Sequence, residues 1–174
     1  MKKLLVVVDM QYDFIDGALG SPEAQAIVPN VVKKIETWDG DIIATLDTHD
    51  KNYLSTREGK HLPVKHCIYG SRGHEVHHEV KMAMLSHIGY VGKIEKKTFG
   101  STSLPIEVEE AGYEYVEFIG LCTDICVVSN VMLVKAYCPE IDIAVDASCC
   151  AGVTPETHEA ALNTMRMCQV EVLQ

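Results

Sequence analysis

Apolar residues fall along this chain in short blocks, and most of the blocks end in a polar or ionisable residue. Residues 3–9 are apolar until Asp9; residues 41–46 lead into Asp47, Thr48 and His49; residues 90–95 end at Lys96. Residues 116–121 run to a glycine and a leucine just before Cys122, residues 142–145 end near Asp146, and residues 170–173 make a last short block. Blocks of this length, rich in β-branched residues and apolar on both faces, predict buried strands. The segments between them have helical spacing. Ile27, Val31, Ile35 and Trp38 recur within 24–38, where Pro29 limits how early a regular helix can begin. Helices are also expected over 75–88 and 104–111 and after Thr123, a candidate cap with Asp124 in the first turn. Val127, Val128, Val131, Met132, Leu133, Val134 and Ala136 predict that this helix is buried on nearly every side. Thr154-Pro155-Glu156 opens the last helix, with Ala161, Leu162 and Met165 as its apolar side. Residues 13–23 read as a loop, and 50–73 as a long polar loop of the kind that is usually functional. Strands alternating with helices imply a single α/β domain over 1–174, with a parallel sheet covered on both faces.

Composition narrows the classes of function. A chain of 174 residues is long enough for one proper core. A net charge of −10 argues against nucleic acid or an anionic membrane as partner. The start, MKKLLVVVDMQ, has too short an apolar run for a signal peptide, and no segment reaches the length of a membrane span. Seven cysteines without an export signal suggest free thiols in a reducing cytoplasm.

Ionisable residues at strand ends matter because open α/β sheets bind ligands outside the carboxyl ends of their strands. Cys126 sits in the first turn of its helix, where N–H groups and the helix dipole favour a thiolate or an oxyanion. A small buried cysteine with no chemical role is the competing account. A free thiol has a pKa of roughly 8.5, so a base is needed. Asp9 is the candidate base, and Lys96 the cation that keeps it ionised beside the thiol. Asp47 and His49, two apart in extended chain, point to one side; with Glu58 and His66 they suit a divalent transition ion such as Zn, Mn or Fe. His61 is the alternative fourth ligand. Residues 74–78, His-Glu-Val-His-His, match the zinc-peptidase pattern through His74, Glu75 and His78, but Ser71-Arg72-Gly73 just before them place the pattern at a polar helix start. Cys138, Cys149 and Cys150 read as structural, and His158 as a surface or helix-packing residue.

The segments VVVDMQYDF (6–14), LDTHDKNY (46–53), LPVKHC (62–67), KKTFGS (96–101) and GLCTDICV (120–127) resemble the isochorismatase-like cysteine hydrolases, especially their nicotinamidase/pyrazinamidase branch. The resemblance implies a three-layer α/β/α fold with a six-stranded parallel sheet of order 3-2-1-4-5-6. It makes Asp9, Lys96 and Cys126 the catalytic triad. The backbone N–H groups of Cys122 and Cys126 become the oxyanion hole, after a non-proline cis peptide between Leu121 and Cys122. Asp47, His49 and His66 match the metal positions, and Glu58 matches a variant with glutamate in place of a further histidine. Phe14 falls where an aromatic wall meets the substrate ring, and Leu62 where a tryptophan is usual. The implied activity is metal-assisted hydrolysis of a small, nicotinamide-like primary amide to acid and ammonia through a thioester, in a homo-oligomer. The alternatives are a zinc peptidase and a non-catalytic binding module on the same fold.

Overall fold

Six parallel strands form one sheet in a computed structural model that describes residues 1–174, in the order β3-β2-β1-β4-β5-β6. The strands are β1 (Lys3–Val8), β2 (Asp41–Asp47), β3 (Tyr90–Lys96), β4 (Tyr115–Leu121), β5 (Asp142–Ala151) and β6 (Glu171–Leu173). This is the order that the resemblance implied. Side chains alternate across a strand, so β1 feeds two cores. Leu4, Val6 and Val8 pack with α6 (Leu104–Ala111), α7 (Val128–Tyr137) and α8 (Pro155–Met167). Leu5 and Val7 pack on the other face with α1 (Tyr12–Ile15), α2 (Pro22–Ala26), α3 (Val28–Thr37) and α5 (His78–Ser86). Both faces are covered, which is why the inner strands β1, β2 and β4 carry no polar alternation, while the edge strand β3 does.

Several elements depart from the sequence reading. The expected loop over 13–23 begins inside the short α1. The helix expected over 24–38 is two helices meeting at Ile27, with Pro29 in the first turn of α3. The long loop 50–73 carries α4 (Arg57–His61), capped by the Thr56 side chain. The helix expected from Glu75 starts only at His78, because the chain before it is tied to the end of β1: Tyr12 N–H donates to Glu75 O (3.0 Å) and His77 N–H to Met10 O (2.9 Å). Strand β5 runs on to Ala151, past the expected end at 145. Its Cys149 packs into one core and its Cys150 into the other, which accounts for the vicinal pair as structural. Helix α7 is less buried than its composition predicts. Val131 and Val134 face the core, Met132 and Leu133 are half-buried, and Ala136 is exposed.

Candidate active site

The close approach of β1 and β4 brings the chemistry together. Gly120 pairs with Val8 at φ 115°, and a Cβ there would lie 2.1 Å from the Val8 carbonyl oxygen. Only glycine permits that conformation and that contact at once. One residue further, β1 ends in Asp9, whose φ of 49° turns the chain out of the strand. β4 ends in the cis Leu121–Cys122 bond and a π-helical turn, Thr123–Val127, that carries Cys126. Thr123 does not cap this turn, as its sequence position suggested. Its hydroxyl is 2.8 Å from His158 Nδ1, so His158 ties α8 to the turn. The Asp124 carboxylate accepts from the Val153 N–H (3.1 Å) and ties the turn to the β5–α8 loop.

Lys96 ends β3, two strands from β1, and reaches Asp9 across β2. On the way it passes the polar side chains of Asp47, its register partner on β2, and Thr45, two residues earlier on the same strand. Its ammonium lies 2.5 Å from Asp9 Oδ2, 3.8 Å from Asp47 Oδ1 and 3.5 Å from Cys126 Sγ. The Thr45 hydroxyl donates to the other oxygen of Asp9 at 2.6 Å. Asp9, Lys96 and Cys126 are all buried. Burial raises the Asp9 carboxyl above the ordinary range, and Lys96 offsets only part of this. Burial and the Asp9 charge push the Cys126 thiol well up, again against Lys96. Burial alone would lower Lys96, but Asp9, Cys126 and Asp47 together push it up. The surroundings thus favour a neutral Cys126 thiol and a charged Lys96, with Asp9 beside them. The helix N-terminus favours a thiolate, but burial and the Asp9 charge work against it, so a base is needed as the sequence suggested.

Beside this group stands a second one. The ligand atoms of Asp47, His49 and His66 lie within 4.8 Å of one another. Asp47 Oδ2 is 2.9 Å from His49 Nε2 and 3.4 Å from His66 Nε2, and Glu58 Oε1 is 3.5 and 3.7 Å from the same two nitrogens. His66 Nδ1 is 2.8 Å from the Val64 carbonyl, which makes it the donor and leaves Nε2 a lone pair for a ligand. His49 Nε2 is buried and makes no hydrogen bond. Burial opposes ionisation of Asp47, but the two imidazoles and Lys96 outweigh it and hold its carboxyl low. One carboxylate and two imidazole nitrogens this close together fit a divalent transition ion, and the Glu58 carboxylate lies beside the two imidazoles. His61 is exposed, its Nδ1 2.8 Å from the Arg57 carbonyl, and stands outside the group.

The pattern at 74–78 does not form a zinc-peptidase helix. His74 lies in a separate 3-10 turn, buried against the Thr48 hydroxyl (2.9 Å), while Glu75 and His78 are exposed. The tie of residues 75–77 to β1 and α1 keeps one helix from spanning the motif.

Both groups open into one cleft of about 360 Å³, mostly apolar. Phe14 and Leu62 line it as expected, with the Phe14 ring 5.6 Å from that of His66. Phe99, Ile125 and Val153 also line it and were not singled out in the sequence. Phe99 carried a signal: it follows a strand end by three residues. Gln11 was missed too. Fully buried, it accepts from the Asp47 N–H and donates to the Asp47 carbonyl (both 2.8 Å), and so fixes the backbone of that candidate ligand.

Comparison with known proteins gives three findings. The isochorismatase domain model matches residues 3–174. The uncharacterised isochorismatase family protein PncA of Bacillus subtilis is 29% identical over 94% of this chain and 93% of its own, and the nicotinamidase/pyrazinamidase of Mycobacterium tuberculosis is 24% identical over 98% of both. The crystal structure of the Pyrococcus horikoshii pyrazinamidase in complex with zinc superposes with a TM-score of 0.80 at 26% identity, covering 100% of this chain and 99% of that one.

Proposed function

The chain belongs to the isochorismatase domain family and is an amidohydrolase acting on carbon–nitrogen bonds, and from that premise we propose that it cleaves a small primary amide through a Cys126 thioester. The observation that carries this reading is the buried ammonium of Lys96, 2.5 Å from Asp9 and 3.5 Å from the sulfur of Cys126, which lines the cleft. The raised carboxyl of Asp9 makes it a stronger base than an exposed aspartate. As Cys126 Sγ bonds to the amide carbon, its proton passes to Asp9. The carbonyl electrons move onto oxygen, which the N–H groups of Cys122 and Cys126 receive. When the tetrahedral centre collapses, the C–N bond breaks and Asp9 returns the proton to the leaving nitrogen, so ammonia departs. Water then attacks the thioester, Asp9 takes its proton, and the acid leaves as Cys126 recovers its own. Lys96 holds Asp9 in place and favours its carboxylate form whenever it has given up the proton.

Asp47, His49, Glu58 and His66 would hold a divalent ion such as Zn, Mn or Fe, and that ion would supply a Lewis acid beside the cleft. Phe14 on one side and Leu62 and Phe99 elsewhere on the wall fit a small apolar body such as a nicotinamide-like ring. Apart from the deep Lys96, the charged groups at the cleft are the acidic Asp47 and Glu58, which favours a neutral amide. Family membership also replaces the binding-module alternative with an enzyme. No helix is long and apolar enough to cross a membrane. A cytoplasmic homo-oligomer with no nucleic-acid partner completes the reading.

The test is ammonia release from nicotinamide, pyrazinamide and short aliphatic amides by the wild type and by Cys126→Ala. Release by the wild type alone, with a trapped acyl adduct mapped to Cys126, is the expected result. Equal release by both proteins would overturn the nucleophile.

A further inference from the structure

Lys96 and Cys126 stand on different elements, yet their reactive atoms must keep one spacing. The residue after β3 that walls the cleft, Phe99, must keep its place relative to both. One buried side chain joins these parts. Asn130, on the first turn of α7, is fully buried. Its Nδ2 donates to the Cys126 carbonyl at 2.7 Å and to the Phe99 carbonyl at 3.3 Å, and its Oδ1 accepts from the Ser101 N–H at 2.9 Å. Loop 97–101 lies flat on the helix at that point. A Cβ on Gly100 would meet Leu133 Cδ1 at 2.5 Å and Ser129 Cβ at 3.3 Å.

We propose that Asn130 is a positioning residue that locks the Cys126 turn and the Lys96–Phe99 loop into one frame, an inference that rests on Cys126 as nucleophile. The amide is suited to this because its two ends differ: one donates to two carbonyls, and the other accepts from an N–H. A buried polar group with all its partners is costly to disturb. Aspartate has the same shape, but its second oxygen would face the Cys126 and Phe99 carbonyl oxygens, so Asn130→Asp breaks both donor contacts. Serine in a helix donates to the carbonyl four residues back, which here is Cys126. Asn130→Ser therefore keeps the tie to the nucleophile and loses the tie to the loop. The two substitutions separate the two joints.

The experiment uses the full chain, with Cys126→Ser as reference, and has a readout that needs no substrate: the pH profile of Cys126 labelling by iodoacetamide, followed by mass spectrometry. Turnover of nicotinamide and melting temperature are measured alongside. Asn130→Asp should change the labelling profile and lower kcat by roughly 10²-fold, the effect of a misplacement of about 1 Å. Asn130→Ser should keep the wild-type labelling profile, with KM raised by roughly 10- to 100-fold, the worth of the two hydrogen bonds lost to the loop. An unchanged labelling profile in Asn130→Asp would overturn the proposal. So would parallel losses in both variants that track melting temperature alone, the mark of a purely structural role. If Cys126→Ser keeps turnover, the nucleophile reading falls. If Cys126→Ser is inactive and Asn130→Asp behaves as wild type, only this inference falls.

Discussion

Replacing Lys96 with methionine keeps an unbranched side chain one atom shorter and removes its charge. The ammonium is 2.5 Å from one buried carboxylate and 3.8 Å from another. At an effective dielectric constant of ~20 these contacts correspond to about 7 and 4 kcal/mol of Coulomb attraction. Most of that is offset by the cost of burying the charges. The net loss on breaking such a pair is typically about 3–5 kcal/mol, because a carboxylate is left buried without its partner. Asp9 relieves this by taking up a proton, and its carboxyl, already raised by burial, rises further. A protonated Asp9 cannot accept the thiol proton. The variant should therefore lose activity by roughly 10²–10⁴-fold, the share that general-base catalysis supplies. Asp9→Asn should lose a similar factor for the simpler reason that it has no basic oxygen. Since both changes remove the same proton acceptor, the double variant should be little worse than either single one. The assay is ammonia release in the four proteins, with melting temperature as a control for folding. Multiplicative losses in the double variant would mean that Asp9 and Lys96 act independently, and the triad would have to be abandoned.

Glu58→Ala should lower bound metal, measured by elemental analysis after dialysis against a divalent-ion mixture, whereas His61→Ala should leave it unchanged. Loss only in the His61 variant would overturn the ligand set. Lys34 bridges two buried carboxylates away from the site, Glu117 at 2.7 Å and Asp146 at 2.6 Å. Lys34→Met should cost about 3 kcal/mol in urea unfolding near neutral pH, the lower end for a broken buried pair because the lysine is partly exposed. The sign with pH follows from Asp146. Although burial works the other way, Lys34 and Ser148 depress its carboxyl, so its stabilisation is present above the unfolded carboxyl pKa and is lost as pH falls through the folded one. The gap between wild type and variant should therefore narrow in acid; a gap that widens there would refute the assignment.

The layers and the grouping of Asp9, Lys96 and Cys126 were legible in the sequence for one physical reason: a strand of a covered parallel sheet has little cause to end in Asp, Lys or His unless its carboxyl edge binds something. Asp9, Asp47 and Lys96 carried that signal directly. Cys126 needed the resemblance as well, since a buried cysteine is common without any chemical role. Other features depend on contacts between distant segments, which no local pattern encodes. The late start of α5 is set by residues 75–77 pairing with the end of β1. That Glu58 and not His61 comes near His49 and His66 is set by which side of α4 turns inward. Gln11 and Asn130 read as ordinary polar residues in the sequence, and their roles appear only when the backbone groups they hold come within reach.

The position of Cys126 also changes what reactivity can say about it. A thiolate at an open helix N-terminus would make it the fastest-alkylated of the seven cysteines. In the folded chain Cys126 is 6% exposed and its thiol is held neutral, while Cys122 and Cys168 are more accessible. Cys168 has no part in the site, yet a small reagent reaches it more easily. Labelling speed then reports exposure before it reports chemistry. What distinguishes the nucleophile is that Asp9 and Lys96 control its proton. Across Asp9→Asn and Lys96→Met, the pH dependence of Cys126 labelling should move while that of Cys168 stays fixed. If both cysteines moved together, or neither did, Cys126 would be one more buried thiol, and the carboxylate–ammonium pair beneath the cleft would need another purpose.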